Sequence, residues 1–245
     1  MKTAVKYILQ HLFGFRNYLF VFSLFTIARL KWDKKERDFL LFLSLVPDGG
    51  IVLDIGANIG IMTTHLARKL KKSVIYAYEP IPQNLETLKR ICRFFKLKNV
   101  RIREKALGDH TGSVEMVMPV VHSVKMQGLS HVIDSNVSAD DTGITCRVAL
   151  DTLDSEKDFL EPGSKVTAIK MDVENFEFYV LKGAVNLLKH HRPIVYCELW
   201  DNENRKDSMQ LMQDLGYTVH VVVSGKLEPF NAQVHRMQNF IFLPA

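Results

Sequence analysis

The chain has 245 residues, 47% of them hydrophobic, and a formal charge of +5. That is enough apolar material for one buried α/β core with an appendage. Three widely separated cysteines, Cys92, Cys146 and Cys197, form no Cys-x-x-Cys. Neither a disulfide framework nor a zinc site is indicated, no metal is expected, and a reducing cytosol fits best.

The charge is unevenly placed. Residues 1–40 hold eight Lys/Arg against three acids, which accounts for the whole excess. The remainder is neutral, whereas a nucleic-acid enzyme usually carries basic surface around its site, so no nucleic-acid partner is expected. Within the basic segment an uncharged run of 11 residues extends from Tyr18 to Ala28. A membrane-spanning helix needs about 20, and no small-residue cleavage site follows. Residues 1–37 therefore read as a helical, basic amphipathic extension. Two fates are open to it: packing on the domain or on a second copy in a homodimer, or lying on an anionic membrane surface as a peripheral contact. In the second case Lys2, Lys6, Arg16, Arg29 and Lys31 would meet the lipid.

The main domain is read as residues 38–245. A helix is expected over 38–46, then a turn at Pro47-Asp48-Gly49-Gly50. Residues 51–55 are the first strand and 60–71 its helix. Between them stands Val52-Leu53-Asp54-Ile55-Gly56-Ala57-Asn58-Ile59-Gly60, the strand–turn–helix unit that opens a nucleotide-binding sheet. The second strand, 73–78, ends at Glu79. An acid there can accept hydrogen bonds from both ribose hydroxyls. A dinucleotide fingerprint would have glycine at Asn58 and a different spacing of the third glycine. Asp54 would repel a pyrophosphate, but it could hold an ammonium or lie near a sulfonium. Both groups occur in S-adenosylmethionine, which is the expected cofactor. Asp54, Gly56, Asn58, Gly60 and Glu79 are its candidate binding residues.

A helix is expected from the Pro80-Ile81-Pro82 stretch to about Phe95, and a third strand over 100–105. Residues 106–165 break the pattern and read as an insertion, the probable substrate region. It contains an antiparallel pair, 113–121 and 144–150, joined by a long loop facing the substrate. The fourth strand is 166–171, with Asp172-Val173-Glu174-Asn175-Phe176-Glu177 behind it and a helix to about Leu188. A fifth strand covers 193–198, a helix 203–214, a sixth strand 217–223 and a last one about 238–243. The final two are joined without a helix and are expected to form an antiparallel hairpin.

Several blocks together resemble the FkbM-type family of class I methyltransferases. They are residues 52–60, 78–90 (YEPIPQNLETLKR), 106–112 (ALGDHTG), 169–184 (IKMDVENFEFYVLKGA), 193–199 (PIVYCEL) and 238–244 (QNFIFLP). The resemblance implies a doubly wound, mostly parallel seven-stranded α/β sheet of Rossmann-like type with a reversed last strand. It also implies S-adenosylmethionine as donor and a hydroxyl acceptor on a small molecule or glycan. Asn175 stands where the family usually has glycine, and Asn tolerates positive φ.

Methyl transfer to a hydroxyl requires alignment of the acceptor oxygen and removal of its proton. Asp172 and Glu174 lie just past the fourth strand, at the switch point of the sheet, and are the candidate catalytic pair. Two close carboxylates push their pKa values apart and leave one the better base. Their bland alternative is capping of the next helix, and Glu177 reads as such an acid. Asp109 is a candidate contact to the adenine amino group, with an equally good explanation as a turn residue. Asn84 is either a site residue or a polar residue in the first helical turn. His122 and His131 are more ordinary as solvated loop histidines. Asp141-Thr142-Gly143 imitates an aspartic-protease triplet without the second copy that chemistry needs. The functional expectation is O-methylation, with N-methylation or a non-catalytic cofactor-binding scaffold as alternatives.

Overall fold

The computed structural model describes residues 10–121, 124–125, 130–132, 143–159, 161 and 163–245. His122, Lys2, Lys6 and most of the expected substrate loop lie outside these residues. Helix α1 (Phe15–Arg29) is followed by α2 (Arg37–Leu45) and then by strand β1 (Gly50–Ile55). Crossovers α3 (Ile61–Lys69) and α4 (Pro82–Phe94) lead to β2 (Ser73–Tyr78) and β3 (Val100–Arg103). The chain later returns to the centre as β9 (Val166–Met171) and steps outward to β10 (Ile194–Glu198).

With β11 (Tyr217–Val223), β12 (Lys226–Pro229) and β13 (Asn239–Pro244), the eight-stranded sheet has the order β12-β11-β13-β10-β9-β1-β2-β3. β1 pairs in parallel with both β2 and β9, so it marks the point where the winding reverses direction. Ligands collect outside the carboxyl ends of strands at such a point. Side chains alternate across β1. Val52 faces a core with Phe39 and Phe42 of α2 and Leu66 of α3. Leu53 and Ile55 face another with Ile169, Met171, Val195 and Phe240. Phe39 and Phe42 are fully buried, and each such burial stabilises by about 1.5–3 kcal/mol. Burial on both faces explains why the central strands read as near-continuous apolar runs.

The reversed strand is β13 (Asn239–Pro244), antiparallel to both β10 and β11 (Tyr217–Val223). An eighth strand, β12 (Lys226–Pro229), follows β11 through a turn at Ser224 and Gly225, whose φ values are 52° and 78°. The hairpin partner next along the chain from β11 is therefore β12, while β13 inserts between β10 and β11. The single helix expected before Leu188 is two: α5 (Glu177–Lys182) and α6 (Val185–His191). They break at Gly183, where a Cβ would overlap the carbonyl oxygen of Gly108. Helix α7 (Glu203–Asp214) covers the same flank.

Between β3 and β9 a second sheet forms, with the order β4-β8-β5-β6 and β7 also on β5. Its members are β4 (Ala106–Leu107), β5 (Gly112–Val121), β6 (Val124–Lys125), β7 (His131–Val132) and β8 (Gly143–Asp151). β5 and β8 run antiparallel from Gly112↔Leu150 to Pro119↔Gly143, the expected inserted pair.

Helix α1 packs on the outside of α3 and α4. Tyr18 and Leu19 meet Ile59, Ser23 Oγ hydrogen-bonds to the Ile59 carbonyl at 3.3 Å, and His65 Nε2 lies 3.1 Å from the Ile27 carbonyl. Arg90 of α4 stacks on Phe20 at 4.3 Å. One face of the extension is thus covered by the domain itself. Among the described residues no helix is long and apolar enough to cross a membrane.

Candidate active site

The β1–α3 turn is built from left-handed residues: Gly56, Asn58 and Gly60 have φ of 73°, 50° and 83°. The glycines serve the protein's own packing. A Cβ on Gly56 would overlap the Asp172 carbonyl, and one on Gly60 would lie 2.8 Å from Leu88 Cδ1. Gly60 caps α3 and does not line the cleft described next.

That cleft encloses about 610 Å³, counting its open mouth. Its floor is Ile55, Gly56 and Asn58, one wall is Glu79, Pro80, Ile81 and Asn84, and Asp172, Val173 and Glu174 form another. The inserted sheet closes it with Ala106, Leu107, Met116, Ser130 and Val132, and Phe176 adds an aromatic edge. The strand ends and the insertion converge there, as the topology requires.

Glu79 is 4% exposed. Its Oε2 accepts from the Asn58 amide at 2.8 Å, and its Oε1 accepts from the Ile81 amide at 2.9 Å and from Asn84 Nδ2 at 3.3 Å. A carboxylate offers about four acceptor positions, two on each oxygen; Oε1 has both engaged and Oε2 keeps one for a ligand. Burial pushes the Glu79 carboxyl up to about 7, against those hydrogen bonds. The side-chain oxygens of Asn58 and Asn84 are buried without a protein partner, and both residues line the cleft. Buried acceptors of this kind call for a donor. Asn84, ambiguous in sequence, thus belongs to the site.

Asp54 is placed differently from its sequence reading. Its carboxylate is fully buried beneath the turn, accepts from Thr63 Oγ1 at 2.5 Å and pairs with Lys170 Nζ at 3.3 Å. It does not line the cleft, so direct contact with a ligand ammonium is not its position. Asp109 is also outside it, held by His110 at 2.8 Å and Lys182 at 2.9 Å. It stands as a doubly engaged turn carboxylate beside α5.

Asp172 and Glu174 do line the cleft. The Asp172 amide donates to the Ile55 carbonyl at 3.1 Å, which fixes the start of the loop against β1. Glu174 and Asn175 are both left-handed, with φ of 54° and 73°. Asn175 is held by Asn202 Nδ2 at 2.6 Å and by Asn204 Nδ2, which reaches its carbonyl at 2.9 Å. Such backbone at a cleft costs about 1–3 kcal/mol per residue and persists where surroundings enforce it. Glu177 is 2% exposed and accepts from the Val173 amide at 3.0 Å, a helix-start acid as expected.

Lys170 escaped notice in the sequence because it reads as a polar interruption of β9. In the parallel register it stands opposite Asp54. Its ammonium is 3% exposed and donates to the Gly56 carbonyl at 2.9 Å. Burial works against its charge, but Asp54 and Asp172 overcome that and raise its pKa. Four further carboxylates feel its charge: Asp172 and Glu174 in the cleft wall, and Glu36 and Glu198. Burial first, and then Asp172, Glu198 and Glu177, push Glu174 up to about 8. Burial and Asp172 raise Glu198 to about 6. Burial, Asp33 and Asp172 raise Glu36. Negative charge at this end of the cleft therefore grows as Glu174 ionises beside Asp172, a field that attracts a cationic ligand.

A family profile described as the methyltransferase FkbM domain matches residues 54–219. A relative named Methyltransferase 1, from Beauveria bassiana (strain ARSEF 2860), is 27% identical over 147 residues, covering 56% of this chain and 59% of the relative. The crystal structure of methyltransferase FkbM from Methylobacillus flagellatus KT superposes with a TM-score of 0.53 at 17% identity, over 82% of this chain and 45% of that one. The chain spans less than two thirds of either protein, and the second likeness bears on fold alone. With the profile matching more than half of the chain, including the Glu79 and Asp172 strand ends, the chain belongs to the FkbM family of methyltransferases.

Proposed function

We propose that the chain is an S-adenosylmethionine-dependent methyltransferase that methylates a hydroxyl on a small molecule or glycan. The observation that carries this reading is the meeting of Glu79, Asn58 and Asn84 with Asp172 and Glu174 around one cleft at the switch point. The donor set fits the cofactor. Glu79 Oε2 has acceptor capacity for one ribose hydroxyl, and the orphaned oxygens of Asn58 and Asn84 can accept from nearby donors. The apolar wall of Ile81, Leu107, Met116 and Val132 suits a flat base. The acidic end suits a ligand with a sulfonium and an ammonium. Bound there, the cofactor would supply a methyl group on positively charged sulfur.

The chain's own residues do the rest. Lys170 neutralises Asp54 and holds the turn carbonyls in place, so the floor is set before ligand arrives. Asp172, fixed by its amide to β1, is the candidate base that takes the acceptor's proton, a role worth about 10²–10⁴-fold. Glu174 stands beside it at the same wall and, once ionised, would face the cationic end of the cofactor. The test is transfer of labelled methyl from S-adenosylmethionine into a cell extract, followed by identification of the labelled product. Label on a hydroxyl oxygen supports the reading. Cofactor binding with no transfer to any acceptor would leave a scaffold.

N-methylation is the second reading, favoured by the excess of carboxylates, which would draw an amine. Its acceptor needs less help from a base, so Asp172→Asn would then act on KM more than on kcat.

A further inference from the structure

The extension leaves a second apolar face uncovered. Val21 and Phe25, one helical turn apart on α1, are 58% and 56% exposed, and Trp32 on the short turn that prolongs the helix is 79% exposed. Leu12 and Phe13 continue this exposure toward the chain start at 71% and 56%. Large apolar side chains exposed together along one helix mark a contact.

Beside the stripe runs a groove of about 1090 Å³, counting its open mouth. Its apolar lining includes Leu24, Ala28, Trp32 and Leu40, and its polar rim includes Lys31, Arg68 and Lys69. The lining contains no acid. Arg29 lies over the Phe25 ring at 5.1 Å and Arg68 over Phe95 at 5.5 Å. None of Arg29, Lys31, Arg68 and Lys69 pairs with a carboxylate among the described residues. Arg16, by contrast, is engaged with Glu86 at 3.0 Å.

From this juxtaposition we infer that the outer face of α1, with its cationic groove, docks on a bilayer containing anionic lipid. An exposed Trp and Phe beside unpaired cations is the chemistry of an interfacial helix, whose apolar side enters the headgroup boundary while Lys and Arg meet phosphate. A second copy fits poorly: a two-fold contact would set the cationic rim against itself. The α1 register separates the two faces, with Tyr18, Leu19, Ser23 and Ile27 turned inward and Val21 and Phe25 outward. Packing on the domain and contact with lipid are thus compatible.

The experiment is flotation of the full chain with phosphatidylcholine vesicles, with and without phosphatidylserine, at low and high salt. The chain is expected to float with the anionic vesicles at low salt and to be released by high salt. Phe25→Ser with Trp32→Ser, both surface positions, should abolish flotation while the melting temperature holds. Lys31→Glu with Lys69→Glu should weaken it by about fivefold or more for each charge removed. No flotation, equal flotation with neutral vesicles, or flotation indifferent to both pairs overturns the inference. So does a dimer, seen by light scattering, that Phe25→Ser with Trp32→Ser converts to monomer, since the occupant would then be a second copy.

Discussion

The roles proposed for Glu79, Asp172 and Glu174 differ, and substitution separates them. Asp172→Asn keeps size and the β1 contact of the backbone. Cofactor affinity should stay within about tenfold while turnover with the native acceptor drops by about 10²-fold or more. Unchanged turnover would transfer the role to Glu174. Glu174, held up at about 8, adds a pH signature. A cation binds better to its ionised form, so cofactor affinity should rise by about tenfold between pH 6 and 8, and Glu174→Gln should flatten the rise. Titration calorimetry across that range reads both, and an affinity that falls with pH counts against the acidic end as the cation site. Stability runs the other way. Glu79, Glu174 and Glu177 are raised from 4.5 to between about 7 and 8, so the folded chain keeps protons that the unfolded chain has lost. The stability they contribute is complete below about pH 4.5 and is lost as pH rises through 7 to 8. At this scale the carboxylates following strands were legible in the sequence, since position after an apolar run tells where a side chain emerges. Lys170, Glu198 and Glu36 were not, because only the parallel pairing of β9 with β1 and the wrap of the extension bring them together. The same pairing buries Asp54, which looked like a ligand contact.

Helices and strands here are limited by close backbone approaches. Gly56 has a left-handed φ and no room for a Cβ against the Asp172 carbonyl. Gly56→Ala should therefore cost about 3 kcal/mol and lower the melting temperature by roughly 10 °C. A melting curve like that of the wild type would contradict the β1–β9 approach described. Asn175 sits at φ 73° and is tied to Asn202 and Asn204. Asn175→Ala should cost about 2 kcal/mol, by strain and by stranding the Asn202 amide, and Asn175→Gly less, since glycine relieves the strain. Chemical denaturation of the two variants gives that order or refutes it. Apolar runs bounded by turns made most of the sheet legible. What they missed has a local cause. β12 is four residues with a proline at its edge, too short for any pattern. The α5–α6 break depends on Gly108 meeting Gly183, a contact between residues 75 apart that no local pattern can announce.

The whole molecule is a switch-point sheet with an insertion over one end of its cleft and a basic helix strapped across α3 and α4. Removing residues 1–30 would uncover the ground beneath Tyr18, Leu19 and Ile27. The shortened chain should melt lower while its β1–α3 turn still binds cofactor, and an unchanged melting temperature would show the strap to be dispensable. The central claim is that this cleft holds S-adenosylmethionine through Glu79. Its most direct test is a calorimetric titration of S-adenosylmethionine into the chain and into folded Glu79→Ala. Loss of one hydrogen bond to a charged acceptor, about 1.5–3 kcal/mol, should weaken binding about tenfold or more. Binding to the chain with that loss in the variant is the predicted result. No binding to the chain, or equal binding to both, would contradict it.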